Sequence, residues 1–229
     1  ETEAARFRRR RRCTKETGMA RTRSENYDEI QQGILTTACG LFARQGYMRA
    51  SIADLADACK LSRGALYHYF DSKEAILFAI LDAHIREMIA DVEAAMAGKA
   101  TTLEQFRAAI QAIVALNARS SDEQRVILND LSFLGETEQD AIKALERQLV
   151  DTVSDLLLKL DKEGKIVRRT KKIYSMMLFG ILNFSHTWYD PKGGVDPSEF
   201  ADMVVDLFLY GFTMPVPAKD AARPLRQRA

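Results

Sequence analysis

Cysteine is scarce in this chain: three residues in 229. Cys13, Cys39 and Cys59 form no C-x-x-C pair and no cluster with histidine. An odd, dispersed set of thiols argues against a disulfide framework or a zinc site and fits a reducing compartment, so the cytoplasm is the expected location. Long apolar runs are also lacking. The stretch around Met176 falls far short of the roughly 18 residues a membrane span requires, and no membrane association is expected. Proline is rare, and all 5 prolines lie at or beyond Pro191. With 12 glycines, this excludes collagen-like and low-complexity chains. Catalytic signatures are missing as well. There is no H-E-x-x-H, Glu-x-x-His pair, P-loop, G-x-G-x-x-G or G-x-S-x-G, so neither an enzyme nor a bound cofactor or metal is expected.

What is present is an ordinary globular balance, 47% apolar and 28% charged, in a length that suits one large or two modest domains. The net charge of +1 hides an asymmetry, because residues 1–25 carry most of the surplus base, concentrated in Arg8–Arg12. The first 25 residues are expected to be a disordered basic arm, with residues 1–18 either native or an upstream extension before Met19.

From Tyr27 onward, apolar residues recur every three or four positions, with no convincing strand alternation, so the fold is expected to be all-α. Helix-start signals recur: Ser51 with Asp54, Asp71 with Glu74, Thr101 with Glu104 and Ser121 with Gln124 resemble capping boxes. Asp196-Pro197-Ser198-Glu199 supplies a cap, a proline at the first helical position and an acid. Gly46, Gly98, Gly135 and Gly164 mark stops. The pattern predicts helices near 26–45, 52–59, 63–70, 72–97, 102–119, 122–134, 136–162, 170–189 and 197–213. Three structural parts follow: a small domain over 26–73, a larger helical domain over 74–214 and a flexible tail over 215–229.

Two of these helices are too short to stand alone. Residues 52–59 and 63–70, joined by Lys60-Leu61-Ser62, outline a helix-turn-helix, with Ile34, Leu35, Ala38, Leu41 and Phe42 supplying a third wall. Leu66 and Phe70 then face inward, leaving Ser62, Arg63, Tyr67, His68, Tyr69 and Lys73 on the outer surface. On spacing alone, Tyr67 and Phe70 as core aromatics, with Arg63 and Lys73 as solvated charges, is an equal reading.

Four segments resemble the TetR/AcrR family of transcriptional regulators: Leu41–Tyr47, Ser51–Ala56, Leu61–Phe70 and Ser72-Lys73-Glu74. The resemblance implies an N-terminal helix-turn-helix DNA-binding domain and a C-terminal helical domain that dimerises and holds a small-molecule inducer. It assigns phosphate contacts to Tyr67, Tyr69 and Lys73. Base reading falls to Arg63, whose guanidinium can grip guanine O6 and N7, and to His68. Gly64 and Ala65 permit close approach, Ser62 lies at the helix start, and Ser51 offers a hydroxyl and an N–H to the DNA backbone. Ala53 stands where the family often has a polar or basic residue. The expected partner is double-stranded DNA with a palindromic operator, bound by a homodimer. A helical ligand-binding or architectural protein without operator reading is the alternative.

The last two predicted helices carry broad apolar faces, read as the dimer interface: Ile173, Met176, Met177, Gly180, Ile181 and Phe184 on one, and Phe200, Met203, Val204, Leu207, Phe208 and Gly211 on the other. Between them, Trp188-Tyr189-Asp190-Pro191-Lys192-Gly193-Gly194 resembles a loop found in family members that regulate acyl-CoA, aromatic-acid and steroid catabolism. That likeness implies a CoA thioester inducer, with Arg119, Arg125, Lys143 and Arg147 as phosphate partners. Phe106, Ile110, Phe133, Leu134, Met177 and Phe179 join Trp188 and Tyr189 as candidate ligand contacts. The equal alternative has Trp188 and Tyr189 fixing a loop at the dimer edge.

Overall fold

The structure is a computed structural model and describes residues 26–162, 164, 166, 167 and 170–211. Arg8–Arg12, Cys13 and the tail beyond Pro215 lie outside these. Among the described residues there are nine α-helices and no strand, and two compact units divide between Ile80 and Leu81.

The first unit contains α1 (26–45), α2 (Ile52–Ala58), α3 (Arg63–Tyr69) and the first turns of α4 (Lys73–Met96). Helices of seven residues are unstable alone, so α2 and α3 depend on caps and on packing. Leu55, Ala56, Leu66 and Phe70 are buried, as are Ile34, Ala38, Cys39 and Phe42 of α1. Gly46, at φ 85°, ends α1. Ser51 caps α2 in the expected reciprocal box with Asp54. At the far end of α2, Lys60 adopts φ 56° and the Leu61 N–H reaches back to the Ala56 carbonyl at 2.9 Å. This tight reversal fixes α3 on α2, although a side chain in the left-handed region costs about 1–2 kcal/mol. The cap of α4 is Ser72 and not Asp71, since the Ser72 hydroxyl oxygen accepts from Ala75 N–H at 3.0 Å.

The second unit comprises the rest of α4, α5 (Thr102–Arg119), α6 (Ser121–Asp130), a 3₁₀ turn (Leu131–Phe133), α7 (Glu136–Leu160), α8 (Lys171–Phe184), a second 3₁₀ turn (Ser185–Thr187) and α9 (Pro197–Tyr210). Helix α5 is central: Phe106, Ile110, Ile113 and Leu116 are almost wholly buried, and α5 packs on α7 and α9. The Arg107 guanidinium on α5 meets Asp206 at 2.5 Å and Asp202 at 3.5 Å, two carboxylates one turn apart on α9. The predicted helices over 122–134 and 170–189 each end sooner than expected and tighten into a 3₁₀ turn. Ser121 does not cap α6; the N-cap is Ser120, which makes no side-chain bond. Gln124, expected in that cap, is buried instead. Its side chain turns away from the helix start, pairing through Oε1 with His84 Nε2 (3.3 Å) and donating through Nε2 to Asn183 Oδ1 (3.4 Å). Burial holds the His84 imidazole below its ordinary pKa.

Candidate functional site

Helix α3 presents one continuous polar face. Ser62, Arg63, Gly64, Tyr67 and His68 are exposed, Ala65 and Tyr69 are half-buried, and Leu66 faces the core. The Ser62 hydroxyl oxygen caps the helix by accepting from Ala65 N–H at 3.1 Å, which leaves its own O–H available. Gly64 meets no requirement of the fold, because a Cβ built there would have Ser62 Oγ at 4.0 Å as its nearest neighbour. A missing side chain on an exposed helix start therefore leaves room for a surface approaching from outside.

Two expected phosphate donors are occupied by the protein itself. The Ser51 N–H (2.9 Å) and hydroxyl (2.7 Å) both donate to Asp54 Oδ2, and these bonds, the backbone one foremost, hold the Asp54 carboxyl below its ordinary pKa. Ser51 thus faces a carboxylate, and its two donors are bonded within the chain. Lys73 departs from expectation more fully. Its ammonium donates to the carbonyls of Tyr47 and Ala50, both at 3.0 Å, and lies 4.1 Å from the Tyr47 ring centroid. The Tyr47 hydroxyl, in turn, donates to Glu74 at 2.9 Å. Lys73 is a brace between the start of α4 and the 47–50 segment, with one N–H left over.

In the second unit, the structure brings some of the candidate ligand contacts together, Met177 and Trp188 in one groove with Tyr189 beside Trp188, and separates the others from them. Phe106, Ile110 and Phe179 are buried core residues, as is Leu134, whereas Phe133, Met177 and Trp188 are exposed. Tyr189 stacks on Phe200 at 4.4 Å and 17°, Trp188 meets Phe200 edge-on at 5.7 Å, and the Tyr189 hydroxyl donates to the Val195 carbonyl at 3.0 Å. These contacts hold the 188–195 loop closed. Among the candidate phosphate partners, Arg119 is already bonded to Glu87 (2.9 Å) and Asp91 (2.5 Å), and Lys143 donates to Gln139. Arg125 and Arg147 are exposed.

The outer sides of α8 and α9 carry a wide apolar face. Ile173, Met176, Met177, Phe184, Met203 and Leu207 are all exposed. Tyr174, Met177, Gly180, Ile181, Phe184, Trp188, Leu207 and Phe208 line an open groove of about 710 Å³ there. A Cβ at Gly180 would touch nothing, which leaves this part of α8 open to close approach. Phe200 and Val204, expected on this face, are instead buried on the inner side of α9. Gly211 serves α9 as its C-cap at φ 69°.

Residues 34–80 match the family model for bacterial regulatory proteins of the tetR family, and residues 99–212 match that for the tetracyclin repressor-like C-terminal domain. A TetR-family transcriptional regulator from Bordetella parapertussis 12822 superimposes with a TM-score of 0.77 at 36% identity, covering 80% of this chain and 95% of that one. The chain belongs to the TetR family of transcriptional regulators. As a TetR-family protein it is a regulator and not an enzyme. Another similar structure is that of AibR in complex with isovaleryl coenzyme A and operator DNA (TM-score 0.70, 25% identity, 79% of this chain and 98% of that one). Among curated relatives, the HTH-type transcriptional activator FasR of Mycolicibacterium smegmatis is 24% identical over 191 residues, 83% of this chain and 85% of FasR. In this TetR-family chain no described helix is long and apolar enough to cross a membrane.

The sequence pointed to α3, but two residues that shape its surroundings were not among the candidate contacts. Asp54 was visible as half of a capping box, and that same pairing implies an anion beside Ser51. Tyr27 carried no motif; its ring packs on Tyr69, 4.7 Å between centroids.

Proposed function

We propose that this regulator binds a palindromic operator as a homodimer, acts as a repressor, and is released by a small-molecule inducer of the acyl-CoA class. The observation that carries the DNA reading is the outward face of α3: a guanidinium, a phenol and an imidazole beside a glycine the fold does not need. Inserted into a major groove, Arg63 reads a base edge, His68 lies next to it, and Tyr67 and Tyr69 meet phosphate. Ser62 adds a hydroxyl at the helix start, and Ala65 permits close approach. Ser51 and Lys73 take secondary parts, each with its donors largely committed.

Ile173, Met176, Gly180, Phe184, Met203, Leu207 and Phe208 form the proposed association surface. Exposed apolar area of this breadth is unfavourable in an isolated subunit. A two-fold copy covers it with four helices and sets two α3 helices for half-sites about 34–36 Å apart. Met177 and Trp188 line the same groove and belong with this surface. The inducer class is supported by the similarity to AibR, solved with isovaleryl coenzyme A, and by the Trp188–Gly194 loop; Arg147 is an exposed cation offered to CoA phosphates.

Selection of bound genomic duplexes, followed by fluorescence anisotropy, tests the proposal. Arg63→Ala should relax preference at one base pair per half-site and cost about 1–3 kcal/mol. Uniform weakening on all sequences removes Arg63 from base reading. Aliphatic, aromatic and steroid CoA thioesters should lower operator affinity far more than free CoA does. A panel that neither binds nor releases DNA refutes the inducer class alone, and reporter transcription decides repression.

A further inference from the structure

Tyr27 stands in the first described turn of α1, 41 residues before His68 in sequence, yet its ring reaches both aromatic residues at the end of α3. It lies 4.7 Å from the Tyr69 ring at an interplanar angle of 30°, and 6.1 Å from His68 at 86°. His68 also meets Tyr69 edge-on at 5.5 Å and 78°. Each ring of this triangle therefore touches the other two at the separations aromatic pairs favour.

Neighbouring residues on a helix project about 100° apart, so the backbone of α3 does not by itself hold the two rings in one arrangement. Tyr27 spans them both. His68 is exposed, and an exposed side chain that must be fixed on docking loses rotamer freedom at that moment. An aromatic edge already seated against it takes that loss in the free protein. Tyr69 is held in the same way, half-buried, with its ring packed along Tyr27.

We infer that Tyr27 is a positioning residue for DNA recognition: it touches no base, and it fixes His68, directly and through Tyr69, in the orientation in which the imidazole meets the operator. This rests on α3 being the helix that enters the groove. The prediction is specific, because pre-orienting a base-facing imidazole matters on the cognate site and very little on a duplex held by phosphate contacts alone.

The test uses full-length dimer, the tightest duplex recovered by genomic selection and a scrambled duplex of equal length. Tyr27→Leu should weaken the selected duplex about fivefold, the scale of one aromatic pair, and leave the scrambled one within about twofold. Tyr27→Phe should restore wild-type binding. In the cycle with His68→Ala, the double variant should bind no more weakly than His68→Ala alone. His68 ring-proton resonances of the free protein should move toward those of an isolated imidazole in Tyr27→Leu; Tyr27→Met supplies the same readouts if the leucine variant does not fold. Equal weakening on both duplexes, additive losses in the cycle, or unmoved His68 resonances overturn the positioning role. If Arg63→Ala and His68→Ala themselves leave the selected duplex unaffected, the groove reading of α3 falls, and this inference with it. If those two variants weaken binding and Tyr27→Leu does not, only the role of Tyr27 falls.

Discussion

Replacing Lys73 by methionine separates two accounts of one ammonium group. The hydrocarbon stem remains, while two hydrogen bonds to the carbonyls of Tyr47 and Ala50 and the contact with the Tyr47 ring are lost. Bonds to a charged donor contribute about 1.5–3 kcal/mol each, and an exposed cation–ring contact about 0.5–1 kcal/mol. Lys73 is only half-buried, so water replaces much of this, and a net loss of about 2 kcal/mol is expected. With a urea slope of about 2 kcal/mol/M, the midpoint should fall by about 1 M. Far-UV circular dichroism at fixed protein concentration reads the midpoint, and hydrogen exchange should show lost protection in the 47–50 segment. The salt dependence of DNA binding supplies the discriminating number, since each phosphate contact contributes about 0.9 to the log–log slope. A brace leaves that slope unchanged. If Lys73→Met unfolds at the wild-type urea concentration and the slope drops by about 2 per dimer, one contact from each subunit, the brace account is refuted and the ammonium belongs to phosphate.

Two further predictions follow from the second unit. Met203→Asp places a charge on the exposed apolar side of α9; sedimentation should show a folded monomer with native circular dichroism, and a persistent dimer would locate the interface elsewhere. Burial lowers the pKa of His84, so below the ordinary histidine value of about 6.5 the unfolded chain takes up a proton that the folded chain refuses. Stability should therefore decline as pH falls below about 6.5, and His84→Gln should flatten that decline in urea titrations at pH 7.5, 6.5 and 5.5; parallel curves for the two proteins would remove His84 as the cause.

Local signals made much of the fold readable. The caps at Ser51, Thr101 and Asp196 act within one turn, so sequence spacing reports them faithfully. The inward pair Leu66 and Phe70 likewise fixed which side of α3 faces out. The internal acceptors of Lys73 were not legible because they lie 23 and 26 residues away, at a loop whose position only tertiary structure sets. Gln124 was misread for the same reason, its partner His84 being 40 residues away. Helix α9 is apolar on both sides, so periodicity alone did not separate buried Phe200 and Val204 from exposed Met203 and Leu207. Phe106, Ile110 and Phe179 lie in the core while Met177 and Trp188 share a groove, because large apolar side chains at helical spacing describe a core as well as a pocket.

The grip of Arg107 on Asp202 and Asp206 acts as a detent along the axis of α9. One helical turn measures 5.4 Å, and a slide of that length would carry one carboxylate into the place of the other and strand its neighbour, so the forked guanidinium has a single setting in which both acids are engaged. Helix α9 is therefore indexed on α5, and Met203 and Leu207 are displayed outward at one fixed height. Whatever surface meets them reads a stationary pattern, and selectivity in that meeting is written by a charged contact about 100° around the helix from them.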